Sequence, residues 1–348
     1  MAFDPKREDY QRLALRFAHE LDAGDPMIAA RSFASFGRRF AQDRDSLPQS
    51  DSDRAFHLVT LATDLIDYQL PFASDEQATS IVSRGRELLE EAIALDPDCH
   101  DAVRMLFSPS EAAFDSRYLF LREHEDEVRA FCEAEAKSAA NEAGSERAEL
   151  ATTIATRPYL RWLASMAELA LICGRNIETV RLCEKLLSID PHDTADARYT
   201  LALAYAKLED DQGYDALMAR YPQLSPSRPP DDGWALLARL ALAHKRNDLD
   251  EARRILALIV KIYPGCEYAL VRQSELPDGA FARILVTPYS EDEMIVAISE
   301  STVLLQEGND FEGRGVLGSW VSREATKLDP EAAEEAVRDM KAAREGGY

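Results

Sequence analysis

YLRWLASMAELALICGRNIETVRLCEKLLSIDP, Tyr159 to Pro191, reads as two helices joined at Gly174. Its second half places Val180, Cys183, Leu186 and Leu187 on one face and Arg181, Glu184 and Lys185 opposite, an amphipathic helix. Its first half is apolar nearly all round. Only Arg161, Ser165 and Glu168 interrupt it, and they fall on one stripe of a helix. A helix buried on most sides with a single polar stripe suits the inner helix of a stack of helix pairs. Gly174 stands where the first helix must stop and the chain turn back.

The unit recurs. Ala167, Ala170 and Cys183 correspond to Ala202, Tyr205 and Met218, each pair separated by 35 positions. A third unit, Trp234 to Pro264, ends IVKIYP as the first ends LLSIDP, and carries Ala252, Leu256 and Ile259 before its proline. Tetratricopeptide units repeat about every 34 residues, with small residues where helices touch and a proline closing the second helix. The fold class predicted is all-α, a right-handed superhelical solenoid of tetratricopeptide-like helix pairs. The competing reading is an ordinary helical bundle with chance periodicity. The predicted organisation is an N-terminal helical region over 1–150, repeats over 151–290 and a C-terminal helical cap over 291–348.

Thr156-Arg157-Pro158-Tyr159, followed by LLSIDPHD and Arg198-Tyr199, resembles bacterial tetratricopeptide proteins related to suppressor of tumorigenicity 7. There the pattern runs RPY, then LLxLNPxDNQGxRYLL. The chain departs from it at Thr194-Ala195-Asp196, where the family has Asn-Gln-Gly. DDGWALLARLAL, YALVRQSELP and YSEDEMIVAI are similar in placement, so the resemblance covers Arg157 to Val321. It implies a repeat fold with no catalytic residues.

Forty basic against 63 acidic residues give a net charge of −23. Such a field repels duplex DNA, RNA and anionic lipid, which need phosphate neutralised by Lys or Arg. The same charge keeps a protein soluble. Cys99, Cys132, Cys173, Cys183 and Cys266 are scattered, without a CxxC or Cys/His cluster, so they read as small core residues and not as a zinc site or disulfide framework. MAFDPKREDY has no apolar signal core, and no apolar run approaches the ~18 residues of a membrane span. A cytoplasmic location follows as the expectation.

Along the chain, Asp4-Pro5 and Asp25-Pro26 are helix-start signals. Tyr10, Leu13, Phe17 and Leu21 line the first helix, closed by Gly24, and Phe33, Phe36 and Phe40 line the second as a core stripe. Arg31, Arg38, Arg39 and Arg44 make the second helix locally basic, but flanking acids offset them. Arg44 to Asp53 reads as a polar loop, and Asp53 to Pro97 as a degenerate repeat ending ALDP, with His57 a core histidine. Ser108-Pro109-Ser110 opens a long acidic helix closed by Gly144. Pro222 to Gly233, with four prolines, reads as a stiff extended hinge. Phe281–Val286 is apolar without a clear period, a helix turn or short strand. Helices resume at Glu291–Gln306, Val316–Leu328 and Glu331–Arg344, the last a charged cap.

Two motifs tempt an enzymatic reading. Gly313, Gly315 and Gly318 spell GxGxxG, but no strand or βαβ unit is expected around them, so they read as loosening a loop. HEDEV from His124 lacks the second histidine of a zinc helix, with Val128 in its place. No catalytic residue, metal or cofactor is therefore assigned. Repeat folds bind in the concave groove lined by their first helices. Projected there, the three units offer Arg161, Glu168, Tyr199, Lys207, Trp234, His244 and Lys245. Some tetratricopeptide proteins grip a peptide carboxylate with Lys and Asn on this face; Ala164 and Glu168 stand at those places, so that clamp is missing. The function expected is a scaffold that binds a protein or peptide, with a sensor subunit for a small molecule as the alternative and an unrecognised enzyme as a third. Trp234 is expected either partly exposed as an anchor beside Lys207 and Lys245, or packed into its own repeat.

Overall fold

The computed structural model describes residues 4–21, 26–70, 73–107, 113–142, 147–226, 231–273, 286–308 and 314–345. Among these every regular element is helical, and no strand is present. The chain divides into two compact units, one of residues up to Met166 and one from Ala167 onward.

The first unit holds α1 (Pro5–Glu20), α2 (Pro26–Gln42), α3 (Asp51–Thr63), α4 (Asp75–Leu95), α5 (His100–Phe107), α6 (Phe114–Glu142) and the greater part of α7 (Ala148–Ile172). Asp4 caps α1 by accepting the Arg7 amide. The segment read as a loop is shorter than expected. Ser50 and Asp53 exchange side-chain and backbone hydrogen bonds as a capping box, so α3 starts at Asp51. Ala55, Val59 and Ala62 of α3 lie one and two turns apart and meet Leu88, Leu89 and Ala92 of α4, with Ala102 and Met105 of α5 completing this core. Each large side chain buried here contributes about 1.5–3 kcal/mol. Phe36 of α2 stacks on Phe17 of α1 at 4.9 Å, as the aromatic stripe predicts.

Charge, not only apolar surface, seats α1. Glu8 and Asp9 are buried. Arg161, 1 % exposed, donates to Glu8 at 2.8 Å and to Asp101 at 2.7 and 2.5 Å. Arg12 and Arg157 also face Glu8. Asp9 pairs with Arg44 and accepts a contact from the His57 ring at 2.8 Å. Thus His57 is half-buried and satisfied by a carboxylate, while Val128, where a zinc helix would need its histidine, is core.

The second unit holds the end of α7 and α8 (Asn176–Ile189), α9 (Ala197–Leu208), α10 (Asp211–Leu224), α11 (Gly233–Lys245), α12 (Leu249–Ile262), α13 (Glu267–Arg272), α14 (Glu291–Glu300), α15 (Thr302–Leu305), α16 (Val316–Leu328) and α17 (Pro330–Glu345). α9 packs on α8, α10 and α11, and α11 on α12. One turn geometry closes three alternate helices, α7, α9 and α11. Arg175 and Gly174 donate to Ala170 and Leu171; Asp210 and Glu209 donate to Tyr205 and Ala206; Asp248 and Asn247 donate to Ala243 and His244. Gly174, Glu209 and Asn247 hold the left-handed position in each. The Asp-Pro closures are local devices too. Asp96, Asp190 and Asp329 each take the amide two residues on, and Asp190 also holds the Thr194 amide and hydroxyl.

Some expectations shift. Pro222, read as the start of an extended hinge, lies inside α10, where the chain stays helical to Leu224; residues 227–230 of that hinge fall outside the described residues. Glu291–Gln306 is two helices with a break at Ser301, not one. α13, unforeseen because six residues carry too little period, packs on α16 and α17. α17 buries Ala333 and Ala336. Gly24, Asp25, Ser108 to Ser110, Gly144, Gly313 and residues 281–285 of the apolar segment lie outside the described residues.

Candidate functional site

Five of the seven groove candidates, Tyr199, Lys207, Trp234, His244 and Lys245, come together on α9 and α11. The left-handed turns at Glu209 and Asn247 reverse the chain after each helix, and α9 lies against α11. Tyr199 and Trp234 stack at 4.0 Å with an interplanar angle of 13°. Arg198 donates to the Tyr199 hydroxyl and to Asp193 and Asp196, fixing the start of α9. At the other end of both helices stand Lys207 and Lys245.

This face is covered by the chain's own α14–α15 segment. The Trp234 indole N–H donates to Glu300 at 2.6 Å. Gly233 lets α14 approach: a Cβ there would stand 2.7 Å from that of Ala297. Lys207 donates to the Val303 carbonyl at 3.1 Å and to Glu307 at 2.9 Å, and Lys245 reaches the other oxygen of Glu307 at 2.9 Å. One carboxylate thus bridges two lysines. Burial alone would raise the Glu307 pKa, but hydrogen bonds from Lys245 and Lys207 outweigh it and hold the carboxyl below its ordinary value. Met294, Ala297 and Ile298 of α14 and Leu304 and Leu305 of α15 are buried.

An anchor tryptophan partly open to solvent is therefore not what the fold builds. Trp234 is 1 % exposed and Tyr199 is equally core. The physical reason is Glu300, which satisfies the indole and so lets the ring be fully covered. His244 lies 5.4 Å from the Trp320 ring, and burial with the nearby Arg323 and Lys245 charges lowers its pKa. Arg161 belongs to the first unit, where it is the buried hub between Glu8 and Asp101. Glu168 is half-buried on α7.

The described glycines of the GxGxxG stretch serve packing, not looseness. A Cβ on Gly315 would stand 2.3 Å from the Glu307 carbonyl oxygen, and one on Gly318 2.4 Å from that of Leu305. Gly315 donates to the Leu305 carbonyl at 2.8 Å. The start of α16 is thereby pressed onto the turn that carries Glu307. Glu300 and Glu307 are the residues the sequence reading missed. Their signal was the dense apolar run from Met294 to Leu305, too apolar to have a free face and broken by few charges.

A second feature is an open cleft of about 480 Å³ among α10, α11 and α12. Both of its arginines are paired, Arg239 with Glu251 at 2.6 Å and Arg246 with Asp211. Among the described residues no cluster of His, Cys, Asp or Glu could hold a metal ion, and no helix is long and apolar enough to cross a membrane. No protein-family model matches the chain, and no curated protein matches it.

Proposed function

We propose that this chain is a protein-interaction scaffold, a right-handed solenoid of tetratricopeptide-like helix pairs akin to bacterial relatives of the suppressor of tumorigenicity 7 family. Its inner face, the stripes of α9 and α11, recognises a helical segment of a protein or peptide. The observation that carries this reading is the carboxylate of Glu307 held between Lys207 and Lys245: the face already accommodates a segment of chain with an acidic side chain at a fixed place. The repeating left-handed turns support the repeat architecture, since a 35-residue shift carries Gly174 onto Glu209. No catalytic step is part of the proposal, and the acidic surface disfavours nucleic acid as partner. A cytoplasmic location belongs to the same reading.

The test is affinity capture from native extract with the parent chain and with Lys207→Ala/Lys245→Ala. Proteins retained by the parent and lost with the lysines support the inner face as the binding surface. An identical retained set with a folded variant overturns it. The cleft among α10, α11 and α12 favours one other reading, a sensor for a small charged molecule. Saturable binding of such a molecule, abolished by Arg239→Ala, would support that instead.

A further inference from the structure

We infer that α2 is a docking helix, whose open face takes an acidic amphipathic helical segment of another protein with two carboxylates about two turns apart. The surface lies on the first unit and is independent of the inner-face reading above.

Three observations converge. The first is exposure. Of the seventeen residues of α2 only Phe36 is buried. The helix leans on α1 through its aromatic stripe, with Phe33 edge-on to Phe17 at 5.3 Å and Phe40 edge-on to Tyr10 at 5.1 Å. Its other side is open. Met27 and Ile28 are 64 % and 56 % exposed, more than any other large apolar side chain described in the first unit.

The second is charge. α2 carries three arginines and no acid, in a chain of net charge −23. Arg39 is used internally, donating to the Ser46 carbonyl at 2.9 Å. Arg31 and Arg38 are exposed and make no hydrogen bond or ion pair among the described residues. On α4 and α6, by contrast, Arg84, Arg86 and Arg129 each pair with an acid one turn away. Arginine, methionine and aromatic side chains are enriched at interface centres, where Lys, Asp and Glu are depleted.

The third is register. Ile28, Arg31, Ser35 and Arg38 follow one another at steps of three, four and three, so they form one exposed stripe. The two arginines stand roughly 10 Å apart along the axis, and the side chains between them, Ala34 and Ser35, are small. A second helix can therefore lie close, meeting both guanidinium groups with carboxylates seven residues apart and covering Met27 and Ile28 with its apolar side chains. Charge selects this occupant over others. At physiological salt fields are screened within about 8 Å, so a short segment meets the local arginines. Nucleic acid, an anionic bilayer or a second copy of the chain must approach against the whole acidic surface.

The test is photo-crosslinking in native extract, with p-benzoylphenylalanine in the full chain in place of Gln42, one turn beyond Arg38 on the same stripe. The expected adduct joins a helical segment of another protein that bears carboxylates at seven-residue spacing. Arg31→Glu with Arg38→Glu is expected to lower its yield about tenfold or more, and changing the captured carboxylates to Lys should restore it. An adduct that survives charge reversal, or a captured segment without such carboxylates, overturns the inference. Adducts only with a second copy, with nucleic acid or with lipid overturn it too, as does the absence of any adduct. Both arginines are exposed, so the reversed chain should keep its helical circular dichroism. If it does not, Arg31→Gln with Arg38→Gln takes its place, and an undiminished adduct there is equally fatal. Lys207→Ala with Lys245→Ala should leave the yield unchanged; a parallel loss would show that α2 is not the docking surface.

Discussion

Glu209 closes α9 in the same left-handed turn with which Gly174 closes α7, at φ +57° and +71° respectively. The two turns make the same pair of backbone hydrogen bonds, yet glycine, having no Cβ to crowd the backbone, adopts that conformation freely and glutamate does not. Glu209→Gly is therefore expected to stabilise the chain by about 0.5–1 kcal/mol, the relief of strain being partly offset by a more flexible unfolded state. Urea unfolding measures it, and a lower midpoint for the glycine variant would contradict the turn assignment.

Acid should attack the first unit through its buried carboxylates. Burial alone would raise the Asp101 pKa, but the Arg161 ion pair, with Arg104 and Arg12, holds it at about 2, below the ordinary 3.8. Glu8 and Asp9 are lowered as well. A depressed folded pKa means stability that is complete above the unfolded value and lost as pH falls through the folded one. The Asp101 share, about 2 kcal/mol, is thus expected to disappear between pH 4 and pH 2. Asp101→Asn should flatten that part of the stability profile.

Arg161→Met leaves Glu8 and Asp101 buried without their shared partner. The expected loss is about 3–5 kcal/mol, since an uncompensated buried charge costs more than the pair contributes. Chemical denaturation would read it, and a loss under 1 kcal/mol would show that water reaches the two carboxylates.

Gly318→Ala should cost about 1–3 kcal/mol by forcing α16 away from the Leu305 carbonyl, a backbone atom that cannot rotate aside. Thermal unfolding of the variant checks this. Gly174→Ala is a contrasting control, because nothing stands within 4 Å of its Cβ and only the left-handed backbone objects.

Ala202→Leu tests the repeat register. Ala202 is fully buried on α9, as its alignment with Ala167 predicts, and a larger side chain there is expected to cost about 1–3 kcal/mol. An unchanged midpoint would mean that α9 can shift without loss.

Helices were legible wherever period and punctuation agreed. Val316–Leu328 is predicted and found with the same bounds, and the shift that pairs Ala170 with Tyr205 also pairs their turns. The surroundings of the candidate residues were not legible in the same way. Helical period says which side of α11 Trp234 occupies, but not that Glu300, far along the chain, will satisfy its indole. Arg161 misled for the opposite reason. A lone charge on an apolar helix looks like a binding stripe until its partners are known, and Glu8 and Asp101 are remote in sequence. Gly315 and Gly318 show the same limit, because close backbone approach has no local pattern.

The ion pair between Glu8 and Arg161 spans 153 positions of the chain. At a synthesis rate of about 5–20 residues per second, α1 emerges roughly 8–30 s before Arg161. Through that interval only Arg12, one turn along α1, faces Glu8, because Arg157 and Arg161 have yet to emerge. The first unit should then mature late and in one step on the ribosome, its opening helix waiting for α7. Nascent chains halted shortly before and shortly after Arg161 emerges should differ sharply in resistance to protease, and a gradual gain of resistance would argue for piecemeal assembly instead.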